Sequence, residues 1–571
     1  MVYKTYKMRY YNGSAFSCRQ VDKKKGRLVS VRVDTCTYVA KTIEEALRER
    51  VAKTPKKEAV FFHEESITWK KLDELSDWLV FRFHQMGMKK GSRAAIWCGN
   101  CLQWVVVFMG LQKIGAMAVL MNPGYLEEEA HKILSYAQVE FLFYGDVFKE
   151  LKIPEILGRI DLEQNPYLKH MVPIEATESI DYMVQQAALM TAEDHKLVQE
   201  LKTKVVPEDI SCMIFTSGTT ALPKGVLLTH KNLTMDAQAT IDAMGWDESD
   251  RICVTVSLFH SFGMTSCLIG SLISGHSICL MKNYRTVNAL ETIQRYGCTV
   301  LNGVPSMFLA MIHNKNLKDY DISTLRTGIL AGASVGPEDY RRICGALPFE
   351  RLQMSYGQSE TSPGVTFSHK EDALEDKCDN AGYLIPGIEA CIWDDTGKQH
   401  VITDGEGIGI QGELGFRGFV VMQGYYNMPE ATKEVLQEDG WLHTGDLGFY
   451  DEKGRVHVIG RKKDMIIRGG ENISPAEIED CIRRLPEVKD VRVVGVRHSI
   501  LQEEVAAAVA LHHGCNLTQE AIKEQVEAHM ARYKVPEYVA FLEDLPMNSS
   551  GKVQTGKIRE MMNQYVQELH A

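Results

Sequence analysis

Thr216-Ser217-Gly218-Thr219-Thr220-Ala221-Leu222-Pro223-Lys224-Gly225 follows a short apolar run, residues 212–215, that reads as a buried strand ending in a loop. Four hydroxyls, two glycines and a lysine stand in ten residues. Glycine lets backbone N–H groups approach a ligand closely, and hydroxyls add hydrogen-bond donors. Lys224 adds a positive charge, so the loop is suited to grip a polyphosphate. The spacing is not that of the common phosphate loop, which runs Gly, four residues, then Gly-Lys-Ser/Thr. Here five residues separate Gly218 from Lys224, and Gly225 follows the lysine. On these residues alone, a flexible Ser/Thr/Gly surface loop is the alternative.

A chain of 571 residues is too long for one core and suits two or more domains. Its composition, 45% hydrophobic and 24% charged, is that of an ordinary globular protein. A net charge of −11 argues against a nucleic-acid partner. Fourteen cysteines are scattered without a disulfide-framework pattern, and no secretory signal is read, so a cytoplasmic setting is expected. Cys98-Gly99-Asn100-Cys101 is a CxxC, but no thioredoxin-like context or second cysteine pair accompanies it. Two buried thiols are expected. Residues 105–122 contain Gln112 and Lys113, and residues 264–281 contain His276. Neither is a clean apolar span of about 20 residues, so both are expected to be buried helix and strand, with no transmembrane segment. Peripheral membrane contact through a surface patch stays open. Residues 1–20 carry Lys4, Lys7, Arg9 and Arg19 with no acid, yet lack the apolar face of a transit peptide. Residues 1–40 are read as an extension of the main body.

From Thr42 the chain alternates helical and strand-like segments. A helix is expected over 43–51, and strands over 94–97, 118–121 and 141–144. Residues 153–207 read as surface helices and a long connection. The rhythm resumes with strands at 250–257, 298–302 and 326–330 and a helix at 287–296. After Gly382 come short alternating strands with glycine turns, including a hairpin over 447–458 with Glu452-Lys453-Gly454 at its turn. A boundary falls at Arg461-Lys462-Lys463-Asp464. Beyond it, helices are expected over 475–485 and 518–532, and strands over 490–496 and 538–541. The fold class is α/β. A large N-terminal domain of layered α/β sheets with a small β-barrel-like part (41–461) is followed by a small, mobile α/β C-terminal domain (462–571).

Four further motifs carry chemistry. Tyr356-Gly357-Gln358-Ser359-Glu360 offers an aromatic face for a purine and a carboxylate for Mg²⁺, against the plainer reading of a strand-end turn. In Trp441-Leu442-His443-Thr444-Gly445-Asp446, a carboxylate after a tight turn suits the vicinal hydroxyls of a ribose. Arg461 and Lys463 lie in a basic run whose plainer reading is a set of surface ion pairs. Near the C-terminus, the turn ending in Gly551-Lys552 can reach a neighbouring cleft.

Taken together and in this order, over residues 41–557, these motifs resemble those of the AMP-forming adenylating enzymes: acyl-CoA synthetases, peptide-synthetase adenylation domains and beetle luciferases. The family pattern Ser-Gly-Thr-Thr-Gly-x-Pro-Lys-Gly is departed from once, at Ala221. Ser359 replaces the Thr of Tyr-Gly-x-Thr-Glu and keeps the hydroxyl. The resemblance implies that Ser217, Gly218, Thr219, Thr220 and Lys224 hold the ATP phosphates, and that Thr216 and Glu360 hold Mg²⁺. Gly332 and Ala333 would border the adenine, with Tyr356, Gly357 and Ser359 beside it. Asp446 and Arg461 would serve the ribose, Lys552 the catalytic charge on the α-phosphate, and Lys463 the hinge. His260, in an aromatic–His pair with Phe259, would stand with Val304, Gly332 and Gly357 around the acyl group, and Gly470 would face coenzyme A. The implied activity is an ATP-dependent carboxylate–CoA ligase that forms an acyl-adenylate and then acyl-CoA, most similar to the medium-chain fatty acid branch. Aryl or branched acids, and an acyl carrier protein as acceptor, are the alternatives. A non-catalytic nucleotide-binding regulator is a more distant one.

Overall fold

The computed structural model describes residues 16–22, 27–33, 38–161, 165–177, 179–216, 223–333, 335–402, 407–468, 471–498, 501–530, 532–548 and 552–569. Two large sheets form the body. The first runs His170–Pro173, Phe141–Tyr144, Arg93–Trp97, Met117–Leu120, Ile210–Thr216, Lys224–Thr229, Gly424–Tyr425 in spatial order. Its first five strands are parallel and its last two antiparallel. The second has nine strands, with a parallel centre from Arg351–Tyr356 through Thr327–Leu330, Val300–Leu301, Arg251–Val254 and Ser277–Leu280 to Glu58–Phe62.

Parallel strands are covered on both faces, so their sequences run apolar without alternation. Ala94, Ala95, Ile96 and Trp97 are all fully buried, which is why that run was legible. The helix Leu102–Ile114 is buried on nearly every side and ends at Gly115, whose φ of +74° only glycine adopts freely. Thr42 caps the helix Ile43–Lys53 through a capping box with Glu45, the start expected from Thr42-Ile43-Glu44-Glu45.

Lys113, inside the apolar run 105–122, is fully buried and lies 2.6 Å from both Asp73 and Asp77. A second buried lysine, Lys202, pairs with Asp77 at 3.1 Å and Glu44 at 3.2 Å. The charges that spoiled a membrane-span pattern are thus the paired polar centre of a helical layer. Among the described residues, no helix is long and apolar enough to cross a membrane.

The antiparallel part expected after Gly382 is a five-stranded sheet: Gln399–Val401, Ile388–Trp393, Gly412–Gly418, Leu442–Tyr450, Val456–Arg461. The last two strands are the expected hairpin. The C-terminal sheet centres on Val488–His498 and Gln502–Leu511, with Tyr538–Leu542 parallel to the latter. Separate apolar clusters pack on its two faces, so this unit has a core of its own.

Three elements exceed the sequence reading. Trp69–Gln85 is a long helix with Leu72, Leu75, Leu79 and Phe83 inward. Gln502–Leu511 is a strand despite its alanines, because it is the buried centre of its sheet. Thr555–Leu569 is a helix, set on that sheet by Ile558, Met562 and Val566. The segment read as surface helices and a long connection holds the helices Ile180–Ala187 and Ala192–Lys202, and also the edge strand His170–Pro173.

The Cys98 and Cys101 sulfurs lie 3.8 Å apart, both buried, with the Glu175 carboxylate close by. Lys282 already neutralises that carboxylate at 2.6 Å. The Cys101 interaction and burial push the Cys98 thiol well up. The pair is two buried thiols, as its lack of company suggested.

Candidate active site

The return strand of the phosphate-loop hairpin defines the site. In register, Thr216 is paired with Lys224, so the segment between them is closed at its base by the sheet. Ser217, Gly218, Thr219, Thr220 and Ala221 lie outside the described residues. Thr216 and Lys224 are half-buried at the mouth.

Glu360 stands on a 3-10 turn, Ser359–Thr361, directly after the strand Arg351–Tyr356. Gly357 makes that turn possible: a Cβ there would sit 1.6 Å from the Pro363 carbonyl oxygen. Only glycine tolerates so close an approach. Among the described residues, Glu360 forms no ion pair. Its Oε1 accepts a hydrogen bond from the Tyr425 hydroxyl at 2.9 Å. A half-buried carboxylate without a cation fits a hard, oxygen-seeking ion such as Mg²⁺.

Asp446 is 4% exposed. Its Oδ2 accepts from the Tyr356 hydroxyl at 2.6 Å, and its Oδ1 pairs with Arg461 Nε at 2.7 Å. The hairpin register sets Asp446 opposite Arg461, so both motifs meet on neighbouring strands. Burial raises the Asp446 pKa, against the Arg461 charge and the Tyr356 hydrogen bond. Gly332, with φ of +84°, lies against Val304: a Cβ on it would be 3.1 Å from Val304 Cγ1. Ala333 is exposed beside it. The His260 ring packs tilted against Phe259, at 4.2 Å between ring centroids. Burial, helped by the Lys552 charge, lowers its pKa to about 4, so the imidazole is neutral at physiological pH.

Lys552 comes from the far end of the chain yet interacts electrostatically with both His260 and Asp446. Burial lowers its pKa, and the Arg461 charge adds to the effect, although part of the side chain is exposed. The Lys552 charge therefore acts within electrostatic reach of His260 and Asp446. Lys463 sits exposed on the 3-10 turn Lys462–Asp464 between the two units, and Gly470 lies outside the described residues.

Two residues in contact with the candidate site residues were not legible in the sequence. Tyr425 is described below. Glu413, on Gly412–Gly418, is 7% exposed and accepts from Gly445 N at 3.0 Å. It also pairs with Lys462 at 2.9 Å and His443 at 3.3 Å. It thereby ties the turn before Asp446 to the 3-10 turn Lys462–Asp464. Burial raises its pKa, but hydrogen bonds from His443 and Lys462 and their charges outweigh this and hold it at about 2. A carboxyl held below its ordinary 4.5 adds stability that is complete above that pH and is lost as pH falls through about 2. Glu413→Gln is expected to narrow the fall in melting temperature between about pH 6 and about pH 3, measured by calorimetry. An unchanged fall would remove Glu413 from the acid-sensitive groups.

Residues 47–426 match the model of the AMP-binding enzyme, and residues 477–552 that of the AMP-binding enzyme C-terminal domain. The chain belongs to the AMP-binding enzyme family. YngI of Bacillus subtilis (strain 168) is 34% identical, over 91% of this chain and 96% of its own length. Medium-chain acyl-CoA ligase ACSF2, mitochondrial, of Bos taurus is 31% identical over 92% of this chain and 88% of its own. The crystal structure of ATP-bound MatB from Rhodopseudomonas palustris superposes with a TM-score of 0.81 at 24% identity, covering 92% of this chain and 99% of that one. This last likeness is one of fold. Family and relatives together make the AMP-binding enzyme described here an AMP-forming acid–CoA ligase.

Proposed function

We propose that this ligase activates a medium-chain fatty acid as its acyl-adenylate and then passes the acyl group to coenzyme A. The observation that carries the reading is the joining of Asp446, Tyr356 and Arg461 by direct contacts, with the Lys552 charge acting on both Asp446 and His260, and with Tyr425 linking the Arg461 charge to Lys224. The choice of acid is supported by the name of the bovine relative.

In the first half-reaction, a carboxylate oxygen of the fatty acid attacks the α-phosphorus of ATP, and the bond to pyrophosphate breaks. Lys224 holds the β- and γ-phosphates, together with the hydroxyls of Ser217, Thr219 and Thr220. Lys552 offsets the charge that builds on the α-phosphate and the carboxylate. Asp446 accepts from the ribose hydroxyls, with Arg461 and Tyr356 fixing its orientation. Mg²⁺, held by Thr216 and Glu360, would add Lewis-acid stabilisation of the phosphate oxygens. In the second half-reaction, the C-terminal unit turns about Lys463. Lys552 leaves and the Gly470 side faces the adenylate. The coenzyme A thiol attacks the acyl carbon, the thioester forms and AMP departs.

Carboxylate-dependent exchange of pyrophosphate into ATP, without coenzyme A, tests this over straight-chain, branched and aromatic acids. Strongest exchange with medium straight chains supports the reading. Preference for an aromatic or branched acid would reassign the substrate, and no exchange in folded, ATP-binding protein would refute adenylation.

A further inference from the structure

Tyr425 stands where three functional elements meet. It lies on the two-residue strand Gly424–Tyr425, paired with Val226 of the strand that begins at Lys224. On one side, Tyr426 N donates to Gly225 O at 2.8 Å; on the other, Met422 N donates to Glu360 O at 3.0 Å. The segment 422–426 thus bridges, by backbone alone, the phosphate-loop hairpin and the turn that carries Glu360. The Tyr425 backbone N–H is itself fixed, donating to Thr432 Oγ1 at 2.9 Å.

The side chain repeats the bridge. Its hydroxyl donates to Glu360 Oε1 at 2.9 Å, and the Lys224 ammonium lies 4.7 Å from the centroid of its ring. A cation over an aromatic face is attracted by the ring quadrupole. Tyr425 is 8% exposed, whereas Glu360 and Lys224 are each half-buried. Facing a carboxylate oxygen, the hydroxyl serves as the donor.

We infer that Tyr425 is a positioning residue that aims the Glu360 carboxylate with its hydroxyl and steadies the Lys224 ammonium with its ring. The inference rests on the metal-binding role proposed above for Glu360 and the phosphate role of Lys224. With one lone pair of Oε1 committed to Tyr425, the carboxylate is tied to the same side chain whose ring faces Lys224. Preorganised groups of this kind act without rearrangement when the ligand arrives.

The two halves of the side chain can be removed separately. Calorimetric titration of ATP, with and without Mg²⁺, into the full-length wild type, Tyr425→Phe, Tyr425→Leu and Glu360→Gln reads each one, beside the Mg²⁺ dependence of exchange. Tyr425→Phe keeps the ring and loses one hydrogen bond to a charged group. It is expected to raise the half-saturating Mg²⁺ about three- to tenfold and to leave metal-free ATP affinity unchanged within about twofold. Tyr425→Leu is expected to weaken metal-free ATP binding as well, by about two- to fivefold. Glu360→Gln is expected to shift the Mg²⁺ dependence at least as far as Tyr425→Phe. A wild-type Mg²⁺ dependence in Tyr425→Phe, with Glu360→Gln shifted, overturns the role of Tyr425 alone. An unshifted Glu360→Gln overturns the Glu360 assignment and the Tyr425 role with it. Equal weakening of metal-free ATP binding in both tyrosine variants reduces the residue to packing and also overturns the inference. If the leucine variant does not fold, the phenylalanine and glutamine variants still decide.

Discussion

Replacing Lys552 by alanine is expected to slow adenylate formation by about 10²–10³-fold, the usual cost of one preorganised charge-stabilising donor, while thioester formation from supplied acyl-adenylate continues. The asymmetry follows from where the residue sits. Its turn is closed at the base: Gln554 N donates to Pro546 O at 2.8 Å, and Met547 bridges Val553. Lys552 N and Asn548 N are each satisfied within the loop, at 2.8 Å to Asn548 Oδ1 and to Lys552 O. The stem is therefore held by its backbone, and truncating the side chain leaves the loop intact. What is lost is the ammonium that acts on both His260 and Asp446. On the rotation proposed above, the C-terminal unit would present its other face in the second half-reaction, so the same truncation would cost little there. Single-turnover measurements of the two halves separate these outcomes. Equal loss in both would mean that Lys552 serves the structure of the cleft and not the phosphoryl-transfer step. Lys552→Arg keeps the charge on a longer, planar group and is expected to fall between wild type and alanine.

The parts legible from sequence were those whose signal is local. Runs such as Ala94–Trp97 and Phe141–Tyr144 are apolar because both faces are covered, and the periodicity shows it. The glycine turns announce themselves because each lies in a short motif of restricted chemistry. Tyr425 and Glu413 carry no local signal. Tyr425 meets Glu360 across 65 positions of chain, and Glu413 meets Lys462 across 49. The role of Tyr425 exists only after two sheets have been laid side by side, and that of Glu413 only after the strands of one sheet have paired. The strand Gln502–Leu511 was hidden for a different reason: alanine has little strand preference of its own, and burial at the centre of a sheet overrode it. Cys98 and Cys101 were expected to be buried and are, but the carboxylate and ammonium of Glu175 and Lys282 beside them were out of reach of spacing.

Asp446→Ala is expected to raise the KM for ATP about 10²-fold, the worth of two hydrogen bonds to a charged acceptor. The carboxylate is buried, and each oxygen already accepts once, from Tyr356 and from Arg461. A carboxylate oxygen has a second lone pair, so both remain able to accept from a ribose hydroxyl. The present partners orient the group and leave the ligand-facing capacity intact. Truncation does not strand a buried charge, because the Arg461 side chain is 41% exposed and water can solvate it. The fold should therefore survive, and a melting curve checks that first. The sharper readout is the nucleotide. Wild type should favour ATP over its 2′-deoxy and 3′-deoxy analogues in exchange, and Asp446→Ala should treat all three alike. The reason is that an interaction absent from the variant can no longer be lost by the substrate. Asp446→Asn keeps one acceptor and the volume, so it should retain part of the discrimination. If Asp446→Ala discriminates against the deoxy nucleotides as strongly as wild type, the ribose contact belongs to another group, and Asp446 acts only by holding Tyr356 and Arg461 in place.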